Sequence, residues 1–97
     1  MVRHIVLIRW KPEATVEQRA ATIAEMKRMP EHVPELRSFM VEENVGTADG
    51  NFDLAIVAEL DDLDAYAVYS DHPEHQALIR DMVVPILGER AAVQVQT

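Results

Sequence analysis

The chain has 97 residues, with 17 acidic against 9 basic side chains and a net charge of −8. A chain of this length forms one domain around one modest core. The absence of cysteine excludes disulfides, thiolate nucleophiles and cysteine-type zinc sites, and the acidity argues against nucleic acid, whose phosphates are bound by Lys and Arg.

No apolar run approaches the roughly 20 residues that span a bilayer, and the N-terminus lacks the apolar stretch of a signal peptide. The expectation is a cytoplasmic protein with no membrane partner. Val2 to Trp10 reads as the first strand, with Val2, His4, Val6, Ile8 and Trp10 on one face and Arg3, Ile5, Leu7 and Arg9 on the other. Apolar residues at the centre of both faces predict a strand covered on both sides. Lys11-Pro12 ends it. Thr15, with Gln18 three residues on, has the capping-box pattern of a helix start. Val16, Ala20, Ile23 and Met26, with Met29 beyond them, recur at helical spacing as its inward side. Residues 30–34 read as a connecting surface loop that carries His32.

Leu36 to Asn44 is the second strand, with Phe39 and Val41 on one face and Leu36, Ser38 and Met40 on the other. Residues 46–51 form a turn of types that tolerate positive φ, and Phe52 to Leu60 returns antiparallel as the third strand. Asp61 or Asp62 caps a helix reaching about Tyr69, with Leu63, Tyr66, Ala67 and Val68 inward. Tyr69-Ser70-Asp71-His72-Pro73-Glu74-His75 then breaks it. Pro73 fixes its own φ and holds the preceding residue out of α geometry. That suits Pro73 as the first residue of a new helix, with His72 as its cap. His75, Leu78, Ile79, Met82 and Val83 share one face of this helix. Pro85 kinks or ends it, Gly88 is placed to terminate the remainder, and Ala91 to Gln96 is a closing strand.

The order β-α-β-β-α-β is that of an α+β, ferredoxin-like plait, a four-stranded antiparallel sheet with helices on one face. Ile5, Leu7, Phe39, Val41, Ala55 and Val57 are then expected as an apolar patch on the other face. Patches of that size usually mark an interface, so two sheets are predicted to pack face to face in a homodimer.

The chain resembles the Dabb family, the stress-responsive dimeric α+β barrel domains. The resemblance rests on His4-Ile5-Val6-Leu7 with Arg9-Trp10-Lys11, on Pro34-Glu35-Leu36, on Tyr69-x-x-His72-Pro73-x-His75, and on the terminal strand. It spans nearly all of residues 1–97 and implies a homodimer whose two sheets close a barrel. A plant polyketide cyclase of that family closes a linear thioester by intramolecular aldol condensation. Its acid–base pair implies catalytic roles for His75 and Tyr69. The implied substrate pocket takes in His4, Leu54, Ile23 and Ile86, although Leu54 stands where the cyclase has an additional pocket histidine. The implied ligand is a small hydrophobic or aromatic carbonyl compound, handled without a cofactor.

Aldol chemistry needs a base for a proton beside a carbonyl and a donor for the resulting enolate. His75 points inward with Leu78, Ile79 and Met82, in a first helical turn whose dipole favours the neutral ring. It can equally bond a carbonyl and lock the corner, while Tyr69 serves as core. His4 can be a pocket group or a satisfied core histidine, and His72 reads mainly as a cap. Metal is not expected, because His72 and His75 have no third ligand near them. A non-catalytic ligand-binding or stress-response module, and a cofactorless monooxygenase, are the competing readings.

Overall fold

The computed structural model describes residues 1–97. Nine residues, Val2–Trp10, form β1. Thr15 then caps α1 (Val16–Lys27) with both halves of the capping box, its backbone N–H donating to Gln18 Oε1 at 2.8 Å. A four-residue helical turn, α2 (Met29–His32), fills the segment expected as loop. The reason is packing: Met29 and Val33 are buried, so this stretch belongs to the core. Strands β2 (Ser38–Glu43) and β3 (Leu54–Leu60) follow. Next come α3 (Leu63–Asp71), α4 (Pro73–Leu78), a π turn over Ile79–Val83 and a short 3-10 turn over Val84–Ile86. The chain closes in β4 (Leu87–Gln96).

The four strands are ordered β2-β3-β1-β4 and every neighbouring pair is antiparallel. Helices cover one face, which makes the ferredoxin-like plait. Strand alternation sends Val2, His4, Val6 and Ile8 of β1, and Leu54, Ile56, Ala58 and Leu60 of β3, under the helices, where all are buried. Cross-strand partners share a face, and Phe39 pairs with Ala58 as Val41 pairs with Ile56. Phe39 and Val41 are therefore on the helix side, not in the patch expected on the far side. Met40 takes their place there, beside Ile5, Leu7, Ala55 and Val57. Strand β4 adds Ala91, Val93 and Val95 through their pairing with Leu7, Ile5 and Arg3.

The helices differ from expectation in which residues face in. On α1 the buried stripe is Thr22, Ile23 and Met26, while Val16 is 66% exposed and Ala20 faces solvent. On α3 the inward residues are Ala65, Tyr66, Tyr69 and Ser70, and Leu63, Ala67 and Val68 point outward. Rotation about the helix axis decides the inner side: Ala65, Tyr66, Tyr69 and Ser70 form one stripe of α3, which turns Ala67 and Val68 to the opposite side. Gly88 is not a helix terminator. It belongs to β4 opposite the irregularity at Arg9/Trp10, where a Cβ would stand 2.9 Å from the Trp10 carbonyl oxygen. The π turn comes just before Pro85. Val84 N–H reaches back to the Ile79 carbonyl, five residues away, a widening often found beside functional sites.

Candidate active site

The break between α3 and α4 is held by side chains rather than by helical bonds. His72 leaves helical geometry at ψ 134°, and its Nδ1 accepts the Glu74 N–H at 3.1 Å, capping α4. Carbonyls in the last turn of a helix lack partners from their own helix. The Ser70 carbonyl near the end of α3 is satisfied instead from α4, by His75 Nδ1 at 3.0 Å and by Gln76 Nε2 at 2.6 Å. A carbonyl only accepts, so His75 carries its proton on Nδ1 and the neutral ring keeps a lone pair on Nε2. One contact thus locks the corner and fixes the tautomer of a base.

That lone pair belongs to a cavity of about 310 Å³ between the helix face of the sheet and the α3–α4 corner. Its walls are mostly apolar, including Val6, Ile8, Met29, Phe39, Leu78 and Val83. The polar groups are His4, Tyr66, Tyr69, Ser70, His75, Gln76 and Arg90. The Tyr69 ring lies 4.3 Å from that of His75 and 6.3 Å from that of His4, centroid to centroid. Tyr66 stacks at a tilt on His4, 4.8 Å away. Sequence spacing could not place His4 beside the corner; the plait does, by laying β1 centrally under α3.

His4 is held from β4. The Gln94 amide N–H donates to His4 Nδ1 across 2.8 Å, so the neutral ring carries its proton on Nε2. The two histidines therefore present opposite roles, a lone pair on His75 and an N–H on His4. Neither Nε2 nor the Tyr69 hydroxyl bonds to the protein. Arg3 Nε is the sole sealed side-chain polar atom without a partner, so these three groups keep open surface of their own. Burial also sets their protonation. It is the main cause that lowers His4 to about 4, with smaller contributions from the charges of Arg90 and His75. Burial lowers His75 as well, against the opposing hydrogen bond to Ser70, so its ring is neutral at pH 7. The same desolvation pushes Tyr69 up to about 12, which makes it a proton donor and not a phenolate.

Of the residues expected at a substrate, His4, Tyr69 and His75 come together at the cavity. Leu54, Ile23 and Ile86 are buried at 1%, 9% and 4% exposure but do not line it. Leu54 and Ile23 pack in the core cluster, and Ile86 lies past the π turn. Sequence reasoning missed Arg90 as a cavity group and Gln94 as the partner of His4. Extending the closing strand back to Leu87 brings in Arg90, which alternates with Ala92 and Gln94 onto the face of Ile8, Val6 and His4. No group of three or more ligating side chains converges anywhere in the chain, and no helix is long and apolar enough to cross a membrane.

No curated protein matches the chain in sequence. Among solved structures, a dimeric ferredoxin-like protein of unknown function from Thermobifida fusca is 38% identical. It aligns over 99% of this chain and 90% of its own, with a TM-score of 0.89. A dimeric protein of unknown function from Bacteroides fragilis is 26% identical over 99% and 95% of the two chains, at TM-score 0.81. The hydroxynitrile lyase of Passiflora edulis shares the fold at 18% identity, covering 97% and 90%, with TM-score 0.84. The model of the stress responsive A/B barrel domain matches residues 2–96, and the chain belongs to that family.

Proposed function

We propose that the protein is a homodimeric acid–base enzyme acting without a cofactor on a small carbonyl compound. The observation that carries this reading is the convergence of a free imidazole lone pair, an imidazole N–H and a phenol on one apolar cavity. His75 Nε2 takes a proton from the carbon beside a carbonyl. The electrons move onto the carbonyl oxygen, and the His4 Nε2–H and the Tyr69 hydroxyl donate to that enolate. The enolate carbon then forms a bond to a second carbonyl carbon, whose oxygen takes back a proton from the site. This balance is that of an aldol cyclisation, as in a polyketide cyclase. An apolar surround strengthens each of these hydrogen bonds. A volume near 310 Å³ lies at the lower end of the roughly 300–1,000 Å³ range of small-molecule sites, so the ligand is small. A relative of the same fold is a hydroxynitrile lyase, which agrees with a fold able to carry an enzyme site.

A non-catalytic reading draws on one observation, the bonds from His75 and Gln76 to Ser70, which would hold the corner in any case. Solvent-deuterium exchange at the methylene of a small aryl ketone, followed by NMR, separates the two. Catalysed exchange that falls by roughly 10²–10⁴ in His75→Ala supports acid–base work. Exchange no faster than buffer, or unchanged in that variant, leaves the corner reading in possession.

The dimer rests on the uncovered sheet face. Ile5, Leu7, Met40, Val57, Val93 and Val95 lie together there, with Met40, Val93 and Val95 at 41%, 51% and 39% exposure. Arg3, on that face, bonds Glu59 through one nitrogen while its Nε is sealed without a partner. The Thermobifida and Bacteroides relatives are dimeric. Two copies packed sheet to sheet would bury the patch.

A further inference from the structure

Seven arginines are present, and six of them are engaged. Arg3, Arg9, Arg28, Arg37 and Arg80 pair with carboxylates, and Arg19 donates to the Ala14 carbonyl. The Arg90 guanidinium has no hydrogen bond and no acidic neighbour within salt-bridge distance, in a chain that carries 17 acidic side chains. It lines the cavity that holds His4, Tyr69 and His75. Its register opposite Ile8 places it on the helix side of β4, away from the apolar sheet face, so sheet-to-sheet pairing leaves it uncovered. Arg90 is itself exposed, so its guanidinium meets both the cavity it lines and solvent.

We propose that Arg90 makes the cavity a site for small monoanions, so that the carbonyl substrate of the preceding section also carries a carboxylate. This rests on that reading for the reacting carbonyl, not for the anion site. A free guanidinium presents five donors in a fork that fits a carboxylate in two parallel bonds. The remaining walls are apolar or neutral, so a ligand would bury its hydrophobic body against Met29, Phe39, Leu78 and Val83 and leave its charge at the exposed Arg90. A single cation favours a monoanion over a dianion, and the overall charge of −8 penalises added negative charge further. The charge of Arg90 bears on all three site groups, lowering His4, Tyr69 and His75 together, which places it within electrostatic reach of the reacting position.

The test uses 3-benzoylpropanoate and its neutral amide, two ligands of the same shape, titrated into the full-length protein by calorimetry. The carboxylate should bind about tenfold more tightly, the scale of one exposed charge-assisted contact. The preference should shrink as salt rises, vanish in Arg90→Gln and survive in part in Arg90→Lys. Equal binding of the two ligands, binding of neither, or a preference that persists in Arg90→Gln would each overturn the assignment. Deuterium exchange on the same ketones reads the base separately. If His75→Ala abolishes exchange but keeps the carboxylate preference, both readings stand. A wild-type protein that prefers the carboxylate yet exchanges nothing keeps the anion site and loses the acid–base chemistry.

Discussion

The two faces of the sheet are built from the same four strands and differ by one residue of register. On the helix side, β1 buries His4 among Val2, Val6 and Ile8, and β4 offers Gln94 and Arg90. On the other side, the alternate residues Ile5, Leu7, Val57, Val93 and Val95 are apolar and have nothing over them. The covered face therefore carries polar groups where water is scarce, and the uncovered face carries apolar groups where water is plentiful. Each is costly in an isolated chain. The buried His4 is tolerated because its Nδ1 is bonded to Gln94 and its Nε2 faces a cavity. The bare apolar strip is tolerated only when a second surface removes it from water. The covered face points to chemistry, the bare face to assembly.

The sharpest way to break that contrast is to make the bare face polar. Ile5→Glu puts a carboxylate in a central strand opposite Val57. We expect sedimentation at micromolar concentration to give half the mass of the unmodified protein, with a lower melting temperature. Val16→Glu replaces an apolar residue of comparable type at 66% exposure on α1, off the sheet, and should leave both mass and melting temperature unchanged. A mass unaltered by Ile5→Glu would show that pairing does not use this face.

A second test separates the faces by pH. His4 has a folded pKa of about 4 against 6.5 when exposed, so between these values the unfolded chain binds more protons than the folded one. Stability linked to His4 is thus fully present above pH 6.5 and is lost as pH falls through about 4. A shift of that size sets an upper bound of about 3 kcal/mol in denaturant titrations, reduced by the solvent that reaches the ring through the cavity. His4→Gln should flatten this part of the profile, whereas Ile5→Gln on the bare face should not. A slope unchanged by His4→Gln would assign the acid sensitivity elsewhere.

The same alternation explains what could be read without coordinates. Two-sided strands, the capping box at Thr15 and the Pro73 break are local patterns, and they led to the plait and to the corner carrying His75. Sequence alternation alone puts Phe39 and Val41 on the wrong side, because the face of β2 is set by its register with β3, which depends on where the turn at 46–51 starts pairing. Leu63 and Val68 read as core by hydrophobicity alone, but the stripe of Ala65, Tyr66, Tyr69 and Ser70 sets the inner side of α3 and leaves both outside it. His4 meeting Tyr69 and Arg90 is a tertiary fact, created when β1 runs between β3 and β4. Local spacing does not show it; only the family resemblance put His4 in the pocket, and it did not include Arg90. The implied contacts of Leu54, Ile23 and Ile86 failed to reach the cavity for the opposite reason: each is apolar enough to be drawn wholly into the core.

The smallest expected effect tests how far β4 tunes the covered face. Gln94→Leu keeps the volume and the backbone pairing with His4 but removes the amide that donates to Nδ1. The loss of one hydrogen bond at a partly exposed position should cost about 1 kcal/mol. Its more telling consequence is chemical. Without a donor on Nδ1, nothing holds the His4 proton on Nε2, and the ring can populate either tautomer. Nitrogen-15 shifts of a histidine-labelled sample should move from a single Nε2–H form toward a mixture, and catalysed exchange should fall by less than tenfold. Val93→Leu, one residue away on the bare face, should alter neither reading. If the His4 shifts of Gln94→Leu matched those of the unmodified protein, the proton on Nε2 would be held by the cavity itself, and Gln94 would be reduced to an ordinary strand residue.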